Sequence, residues 1–333
     1  MNKFRAFRID ERDKRIVAGF ESMSTDELTP GDVVIRVRYS SINYKDALAA
    51  TGTGRILRKY PLNGGIDLSG VVASSTDSRY EPGQEVLVTG CGLSETVDGG
   101  YAGYARVAGD SVIRLPDGID LMQAMALGTA GFTAALAIHR MEHNGQVPAK
   151  GPVVVTGASG GVGSIAVDLL AGRGYEVVAV SGKPEADDYL KALGAARILR
   201  RQEIDLGSRP MEAVLWGGAI DNVGGDLLTW LTRTVDFFGN IASIGLAGSP
   251  KLETTVLPFI LRGINLLGIT SSSTLRDVRL DVWRRLASDL RPRHFDRFVT
   301  RTIGFDELPT AFDDYLKGRV LGRTVVKIGS DGR

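Results

Sequence analysis

Short apolar segments, separated by glycine and proline, occupy the first third of the chain. Apolar and polar residues alternate over Val33–Arg38, and Leu68–Ala73 and Glu85–Val88 are short apolar runs. Both patterns are typical of β-strands, because successive side chains of a strand point to opposite faces of a sheet. This part of the chain therefore predicts a compact, β-rich barrel with many turns.

Helical spacing begins at Leu121–Met141, where apolar residues recur every three or four positions. Gly128 and Gly131 predict that this segment is divided into two helices. From Gly151 onward strands and helices alternate, which predicts a parallel sheet covered by helices. The predicted strands are Val153–Thr156, Glu176–Val180, Ala219–Val223, Asn240–Ile244 and Leu266–Thr270, the predicted helices are Gly163–Ala171 and Ala186–Leu193, and the tail predicts a helix at Leu308–Lys317 and a strand at Arg323–Ile328.

The composition argues against several classes of protein. A length of 333 residues favours two domains, and a formal charge of +1 gives no general attraction to nucleic acid or membranes. Cys91 is the only cysteine, so an internal disulfide and a thiolate zinc cage are both excluded, and a reducing compartment is expected. The first ten residues lack the apolar core of a signal peptide, and four glycines and Asp168 interrupt the apolar stretch Val153–Ala171. We expect a soluble, cytoplasmic protein.

The stretch VTGASGGVGS, residues 155–164, lies between a predicted strand and a predicted helix. Gly157, Gly160 and Gly163 leave the backbone bare at the positive end of that helix, where a pyrophosphate can approach N–H groups. A turn that only packs a helix on a strand is the alternative. The second strand that follows favours a dinucleotide-binding site.

The end of that second strand distinguishes NADPH from NADH. An NAD site usually carries an acidic residue about 20 residues after the loop, which binds the ribose hydroxyls. Here the chain has Ser181-Gly182-Lys183 instead, and a hydroxyl and an ammonium suit a 2′-phosphate. Arg197 is expected to supply a second cation, although a solvated turn before Pro184 is the alternative. The sequence favours NADPH.

A metal site is not predicted. The histidines are His139, His143 and His294, and the first two have the i, i+4 spacing that can bind zinc on a helix. No third ligand stands near this pair, so a surface helix end explains it better.

Two polar stretches lie at the ends of predicted strands, one after a strand and one at the start of a strand. Ser41–Asp46 places four polar side chains together, with Asn43 as a possible helix N-cap, and Asp67 lies in the apolar, glycine-flanked stretch Gly65–Gly70. Spacing alone leaves capping and catalysis equally open. A basic loop, with Arg55, Arg58 and Lys59, is either a solvated face or a site for a phosphate-bearing substrate such as a coenzyme A ester.

Together, these stretches resemble a known family. SSINYKDALAATG, GIDLSG, GTAGFTA at residues 128–134, VTGASGGVGS, AVSGK, PFILRGINLLGI and GRTVVKI follow the order and spacing of the zinc-free medium-chain dehydrogenase/reductases. More narrowly, they are similar to the YhdH/AcuI group of quinone oxidoreductases and acrylyl-CoA reductases. Zinc-dependent relatives carry Gly-His-Glu where this chain has Gly65-Ile66-Asp67, so a metal ligand is missing.

The resemblance implies an α/β protein with a GroES-like, β-rich barrel (residues 1–123 and 297–333) and a doubly wound Rossmann domain (residues 124–296). It implies a homodimer, a small-molecule substrate and an NADPH cofactor. By matching motif positions, it implies catalytic roles near the nicotinamide for Asn43, Tyr44 and Asp67. The implied cofactor-binding residues are Tyr44, Thr129, Ser159, Gly160, Gly161, Val162, Ser181, Gly182, Lys183, Arg197, Gly245 and Leu246.

The implied reaction is the reduction of an activated C=C bond, such as that of acryloyl-CoA. Asn43 and Tyr44 are candidate donors to the charge that develops on the carbonyl oxygen, and Asp67 is expected to orient them. The proton donor, Tyr44 or solvent, stays open. An NADPH:quinone reductase and a non-catalytic NADPH-binding protein remain as alternatives.

Overall fold

The computed structural model describes residues 3–329 and divides into two compact units. Of these residues, the first unit contains 3–129, 272–283 and 299–329, and the second contains 130–271 and 284–298. In chain order the first elements are β1 (Lys3–Arg12), β2 (Arg15–Ser24), β3 (Val33–Ile42), α1 (Tyr44–Thr51), β4 (Leu62–Asn63), β5 (Asp67–Ser75), β6 (Glu85–Thr89), β7 (Tyr104–Val107), β8 (Ile113–Arg114) and α2 (Leu121–His143).

The remaining elements begin with the strand–helix alternation of the second unit. They are β9 (Val153–Thr156), α3 (Gly161–Gly172), β10 (Val177–Ser181), α4 (Asp187–Ala192), β11 (Arg197–Arg200), β12 (Trp216–Asp221), α5 (Gly225–Thr234), β13 (Val235–Ser243), α6 (Leu257–Arg262), β14 (Asn265–Gly268), α7 (Arg276–Leu286), α8 (Phe295–Phe298), β15 (Val299–Gly304), α9 (Leu308–Leu316) and β16 (Arg323–Lys327). Short 3-10 helices lie at Thr25–Glu27, Gly109–Ser111, Pro148–Lys150, Pro184–Ala186, Arg201–Glu203 and Phe305–Glu307.

The first unit is built on a seven-stranded sheet. Its strands follow the order β15-β16-β3-β5-β6-β8, with β7 also paired to β3, and a three-stranded sheet has the order β2-β1-β4. All of these pairs are antiparallel except β15–β16. Thr324 pairs with Ile42, and Tyr39 pairs with Ser69. The end of β3 and the starts of β5 and β16 therefore lie together at one end of the sheet.

The second unit has a six-stranded parallel sheet of order β11-β10-β9-β12-β13-β14. This is the 3-2-1-4-5-6 order of a Rossmann fold, in which ligands bind beyond the carboxyl ends of the strands. The strands are continuous apolar runs such as Val153–Val155, because helices cover both faces of a parallel sheet. The predicted fold class is confirmed.

Helix α2 departs from the prediction at one glycine. Gly128 breaks the helix with φ 51° and ψ −153°, as predicted, but Gly131 is helical and divides nothing. Length and apolar composition alone would let α2 cross a membrane, yet 78% of its apolar window is buried inside the protein. This burial is typical of a core helix.

Strand β13 begins at Val235, five residues before the predicted start. The apolar pattern did not predict this first part of the strand, because the polar Asp236 and the flexible Gly239 interrupt it. The pairing of β12 with β13 is also irregular between Trp216 and Gly218, so the first residues do not follow the regular register.

Candidate active site

Three strand ends bring the polar residues of the first unit together. Ser41 lies one residue before the end of β3, Asp67 begins β5 and Arg323 begins β16. Asp67 is fully buried and the Arg323 side chain is 2% exposed, with 3.9 Å between Arg323 Nη2 and Asp67 Oδ2. Arg323 also donates to Ser41 Oγ (2.8 Å), to the Ile42 carbonyl (3.1 Å) and to the Ala126 carbonyl (3.0 Å). The guanidinium is thus enclosed by acceptors, as a buried cation requires.

The Asp67 carboxylate accepts hydrogen bonds from three neighbouring residues. Ser41 Oγ donates over 2.7 Å, Asn43 Nδ2 over 2.8 Å, and Thr129 donates from both its backbone N–H (2.9 Å) and its hydroxyl (2.6 Å). Charge-assisted bonds of this number stabilise an ionised carboxylate inside a protein. Asp67 therefore holds the cluster together, and none of its surface is exposed to a substrate.

Gly128 is what allows Thr129 to reach Asp67. A Cβ atom at position 128 would lie 2.6 Å from Asp67 Oδ2 and 2.8 Å from both Arg323 Nη2 and Ser41 Oγ. The break at Gly128 also exposes the first N–H groups of the following helical turns, and Asp67 accepts from one of them as a capping residue would. The positive end of this helix segment favours the negative charge of Asp67.

Asn43 is the N-cap of α1 and joins two buried carboxylates. Its Nδ2 atom donates to Asp67 and also to Asp46 Oδ2 (3.1 Å), while its Oδ1 atom accepts from Arg323 (3.2 Å). Asp46 accepts two further bonds, from the backbone N–H groups of Asn43 and Ile66. Complete burial, and then the neighbouring charge of Asp67, raise the pKa of Asp46 to about 7.

Tyr44 is the exposed member of the predicted set, with 51% of its surface accessible. Its neighbour Lys45 forms an ion pair with Glu95. The structure therefore separates the three candidate catalytic residues by their contacts. Asn43 and Asp67 form hydrogen bonds with other protein groups, whereas the Tyr44 side chain is exposed.

In the second unit, the glycine loop has the geometry that a pyrophosphate needs. Gly157 has φ +59°, and a Cβ atom at Gly163 would lie 2.3 Å from the Gly157 carbonyl oxygen. These glycines let α3 begin directly against the loop, with Gly160 as its N-cap. Ser159, Gly160, Gly161 and Val162 lie at this N-terminus, where the N–H groups of the first turn have no partner within the helix. The predicted residues thus form a cradle for an anionic group.

The residues that we predicted to bind the 2′-phosphate lie at the carboxyl end of β10. Ser181 Oγ lies 3.5 Å from Ser159 Oγ and accepts from the Lys183 N–H over 3.1 Å. Gly182 is exposed between them. Partial burial lowers the pKa of the Lys183 ammonium. Ser181 and Lys183 therefore stand beside the start of the glycine loop, as predicted.

Arg197 is not part of this group, which corrects the prediction. It pairs with Val178 near the amino end of the parallel strands, and its side chain faces Glu176 at 3.6 Å and the Trp216 ring at 5.9 Å. Arg200, three residues later, pairs with Ser181 and donates to the Lys183 carbonyl over 3.4 Å, and its guanidinium forms an ion pair with Asp187. The error is one of strand direction: β11 starts at Arg197, so its carboxyl end carries Arg200.

The loops after β12 and β13 complete the carboxyl edge of this sheet. A Cβ atom at Gly245 would lie 2.4 Å from the Asn222 carbonyl oxygen, and Leu246 beside it is two-thirds exposed. The Asn222 amide donates to Thr156, but its buried Oδ1 atom has no partner among the described residues. A buried acceptor at this edge fits a bound group with a donor, such as the ribose of a dinucleotide.

Within residues 3–329, no group of three or more His, Cys, Asp or Glu side chains lies close enough to hold a metal ion. His294 instead contacts Asp168 over 2.6 Å, and His139 lies 3.5 Å from Arg285.

Two important residues were assigned no individual role from the sequence. Asp46 was only one member of the polar stretch Ser41–Asp46 and Arg323 only the start of a predicted strand, although both are central to the buried cluster. An arginine at the start of the predicted strand RTVVK is a usable signal, because a cation that is buried in a sheet requires a buried anion nearby. The partner itself, Asp67, lies 256 positions away in the sequence and only the sheet register brings it close.

Comparison with known proteins identifies relatives of the whole chain. Residues 29–117 match the alcohol dehydrogenase GroES-like domain, and residues 161–288 match a family described as zinc-binding dehydrogenase. The acrylyl-CoA reductase AcuI of Ruegeria pomeroyi is 44% identical over 322 residues, covering 96% of this chain and 97% of AcuI. YhfP of Bacillus subtilis, whose name proposes a quinone oxidoreductase activity, is 45% identical over 326 residues, 98% of this chain and 99% of YhfP.

A solved structure, the yhdH oxidoreductase from Salmonella enterica in complex with NADP, has a TM-score of 0.94 and 46% identity. The superposition covers 98% of this chain and 100% of that one. Bacillus subtilis yhfP was crystallised with NAD. The prediction of a nicotinamide dinucleotide agrees with both structures.

Fold, site and relatives define the class of this protein: it is an oxidoreductase of the zinc-free medium-chain dehydrogenase/reductase family. The zinc-dependent pattern is absent at Gly65-Ile66-Asp67, where Asp67 binds Arg323 and Thr129. Within that family, the chain belongs to the YhdH/AcuI group.

Proposed function

We propose that this protein uses NADPH to reduce the activated C=C bond of a small enoyl thioester, with acryloyl-CoA going to propanoyl-CoA. The near full-length similarity to an acrylyl-CoA reductase carries this proposal. NADPH supplies the hydride when bound, and the protein supplies binding, orientation and electrostatics. The cradle at Ser159–Val162 supports a dinucleotide, and the Ser181 hydroxyl with the Lys183 ammonium beside it supports NADPH over NADH.

Tyr44 is the catalytic residue of this proposal. Its hydroxyl donates to the carbonyl oxygen of the thioester, where negative charge grows as the β-carbon is reduced. Asn43 acts through position, because it caps α1 and thereby fixes the start of the helix that carries Tyr44. Asp67 and Arg323 hold Asn43 from both sides. The proton for the α-carbon comes from Tyr44 or from solvent.

The decisive measurement is NADPH oxidation with acryloyl-CoA, with a quinone and with no acceptor. We expect turnover with acryloyl-CoA, and a loss on the order of a hundredfold in kcat for Tyr44→Phe if the hydroxyl is an oxyanion donor. Asn43→Ala should also lower kcat. Turnover of the quinone alone would make the protein a quinone reductase. Tight NADPH binding without any turnover would leave a non-catalytic binding protein.

We also propose a cytoplasmic homodimer that forms along β14. This strand is the edge of the parallel sheet, and exposed apolar residues lie beside it: Phe237 and Phe238 on β13, and Ile260 and Leu261 on α6. Edge strands and large apolar patches are surfaces that proteins cover. Ile260→Lys should yield monomers by light scattering, whereas Val147→Lys, at another exposed apolar position, should leave the dimer intact.

A further inference from the structure

A basic loop of the first unit lies beside the exposed end of α1. Arg55, Arg58 and Lys59 are exposed, and their side chains make no hydrogen bond or ion pair with other described residues. No acidic residue occurs between Asp46 and Asp67, so the loop has no internal counter-charge. Three unpaired cations within five residues repel one another, and no acidic side chain within the loop offsets this repulsion.

The loop is anchored to the protein at two positions. Leu57 is 2% exposed and packs in the apolar core, with Ile56 packed against the same core. The Arg58 N–H donates to the Glu95 carbonyl over 2.8 Å. Because Ile56 and Leu57 point inward, the flanking side chains at positions 55, 58 and 59 point outward. The cations are therefore held on a defined surface, which we name the cationic rim.

Glu95 connects the cationic rim to the candidate active site. Its carbonyl accepts from Arg58, and its carboxylate forms the ion pair with Lys45, which directly follows Tyr44. One residue thus touches both the rim and the first turn of α1. A ligand whose reactive end lies at Tyr44 would have its more distant groups within reach of the rim.

We propose that the cationic rim binds the phosphate groups of a coenzyme A thioester whose acyl end lies at Tyr44. This inference rests on the proposed enoyl-thioester reductase function. Coenzyme A carries a phosphomonoester and a diphosphate at one end of a long, flexible pantetheine arm, which matches a positive surface set apart from the reacting atoms. A quinone has no phosphate, so the rim favours the thioester as substrate.

The test uses three acryloyl thioesters with the intact enzyme: those of coenzyme A, 3′-dephospho-coenzyme A and pantetheine. The rim variant carries Arg55→Gln, Arg58→Gln and Lys59→Gln. The control carries Lys191→Gln, Lys251→Gln and Arg297→Gln, three exposed cations of the second unit, so both variants lose the same charge. Thermal unfolding verifies that both remain folded.

For the rim variant, we expect a rise in KM for acryloyl-CoA of about tenfold to a hundredfold, with kcat and the KM for NADPH unchanged. Acryloyl-pantetheine should show no change, since it has no phosphate. Salt should raise the wild-type KM for acryloyl-CoA and have little effect on the rim variant. The dephospho substrate then shows which phosphate the rim binds.

Several outcomes would overturn the proposal. An equal KM for acryloyl-CoA and acryloyl-pantetheine in the wild type, an equal effect of the rim variant on both substrates, or an equal effect of the control variant would each do so. If the wild type reduces neither thioester, the proposed function fails, and calorimetric titration with free coenzyme A decides the rim separately. Binding that the rim variant loses would support the rim; no binding by the wild type would refute it.

Discussion

The buried cluster around Asp67 and the glycine loop around Gly157–Gly163 are built from different parts of the chain. The cluster consists of charged and polar side chains, and Asp67, Asn43 and Arg323 are joined by hydrogen bonds to one another and to Ser41, Ile42 and Thr129. The loop consists of backbone, and its essential feature is that side chains are missing where a ligand approaches. Side-chain contacts hold the first site together, whereas the second leaves space beside the backbone.

This difference separates stability from binding. Removing a member of the cluster leaves a buried charge without its partner, so the main effect should be a lower free energy of unfolding. Adding a side-chain atom to the loop blocks the cofactor, so the main effect should be a lower affinity for the cofactor. Four changes test this contrast, in order of decreasing expected effect on free energy.

Arg323→Met removes the cation from the cluster. Asp67 then remains buried without its ion pair, and breaking such a pair costs about 3–5 kcal/mol of stability. Urea denaturation followed by circular dichroism measures the loss. Arg319→Met, an exposed position four residues earlier, should change stability by less than about 0.5 kcal/mol. Equal stability of the two variants would show that the cluster is not a stabilising unit.

The Asp46 carboxyl makes the stability of the first unit depend on pH. Its pKa is about 7 in the folded protein and near 4 in an unfolded chain, so the folded state holds its proton more tightly. The stabilisation is complete below pH 4 and is lost as the pH rises toward 7. Above pH 7 no further stability is lost, and the total loss is about 4 kcal/mol.

Asp46→Asn should remove this slope. The stability difference between wild type and Asp46→Asn should therefore shrink or change sign between pH 5 and pH 8. Asp313→Asn, an exposed acid, is the matched control and should leave the slope unchanged. Parallel pH profiles for wild type and Asp46→Asn would refute the raised pKa.

Gly163→Ala places a Cβ atom 2.3 Å from the Gly157 carbonyl oxygen, so α3 must move away from the loop. We expect NADPH affinity to fall by at least about tenfold and stability to fall by about 1–3 kcal/mol. Gly172→Ala, at the end of the same helix, meets only the flexible Arg293 side chain at 3.4 Å and should bind normally. Fluorescence titration with NADPH compares them, and equal affinities would contradict the proposed cradle.

Lys183→Met should alter the choice of cofactor more than the fold. Loss of one cation near a 2′-phosphate should raise the KM for NADPH about tenfold, or about 1.4 kcal/mol, and leave the KM for NADH unchanged. Lys191→Met, an exposed lysine further along the same segment, is the control. Arg197→Met should leave the KM for NADPH unchanged, because its side chain faces Glu176. An effect of Arg197 alone would restore the original prediction.

Local patterns in the sequence were enough to predict the backbone site. Gly157, Gly160 and Gly163 lie within seven residues, between a strand and a helix whose periodicities are clear. Ser181 and Lys183 follow the next strand at the expected distance. Arg197 was misplaced because strand direction decides which end of β11 meets the cofactor, and the pattern of residues 197–200 does not mark its ends.

The side-chain cluster was only partly predictable. Asn43 and Asp67 were selected, but whether they contact a ligand depended on partners far away in sequence. Thr129 reaches Asp67 through the break at Gly128, and Arg323 reaches it through the pairing of β16 with β3. Such roles follow from sheet register, which local periodicity does not determine.

The separation between Ser41 and Arg323, 282 positions, has a consequence during synthesis. The ribosome makes the acidic half of the cluster first and its cation only after the whole second unit. Until Arg323 emerges, the nascent first unit has no cation to accompany Asp67 into its interior. We therefore expect the second unit to fold earlier, and a nascent chain stalled before Arg323 to leave the first unit sensitive to protease.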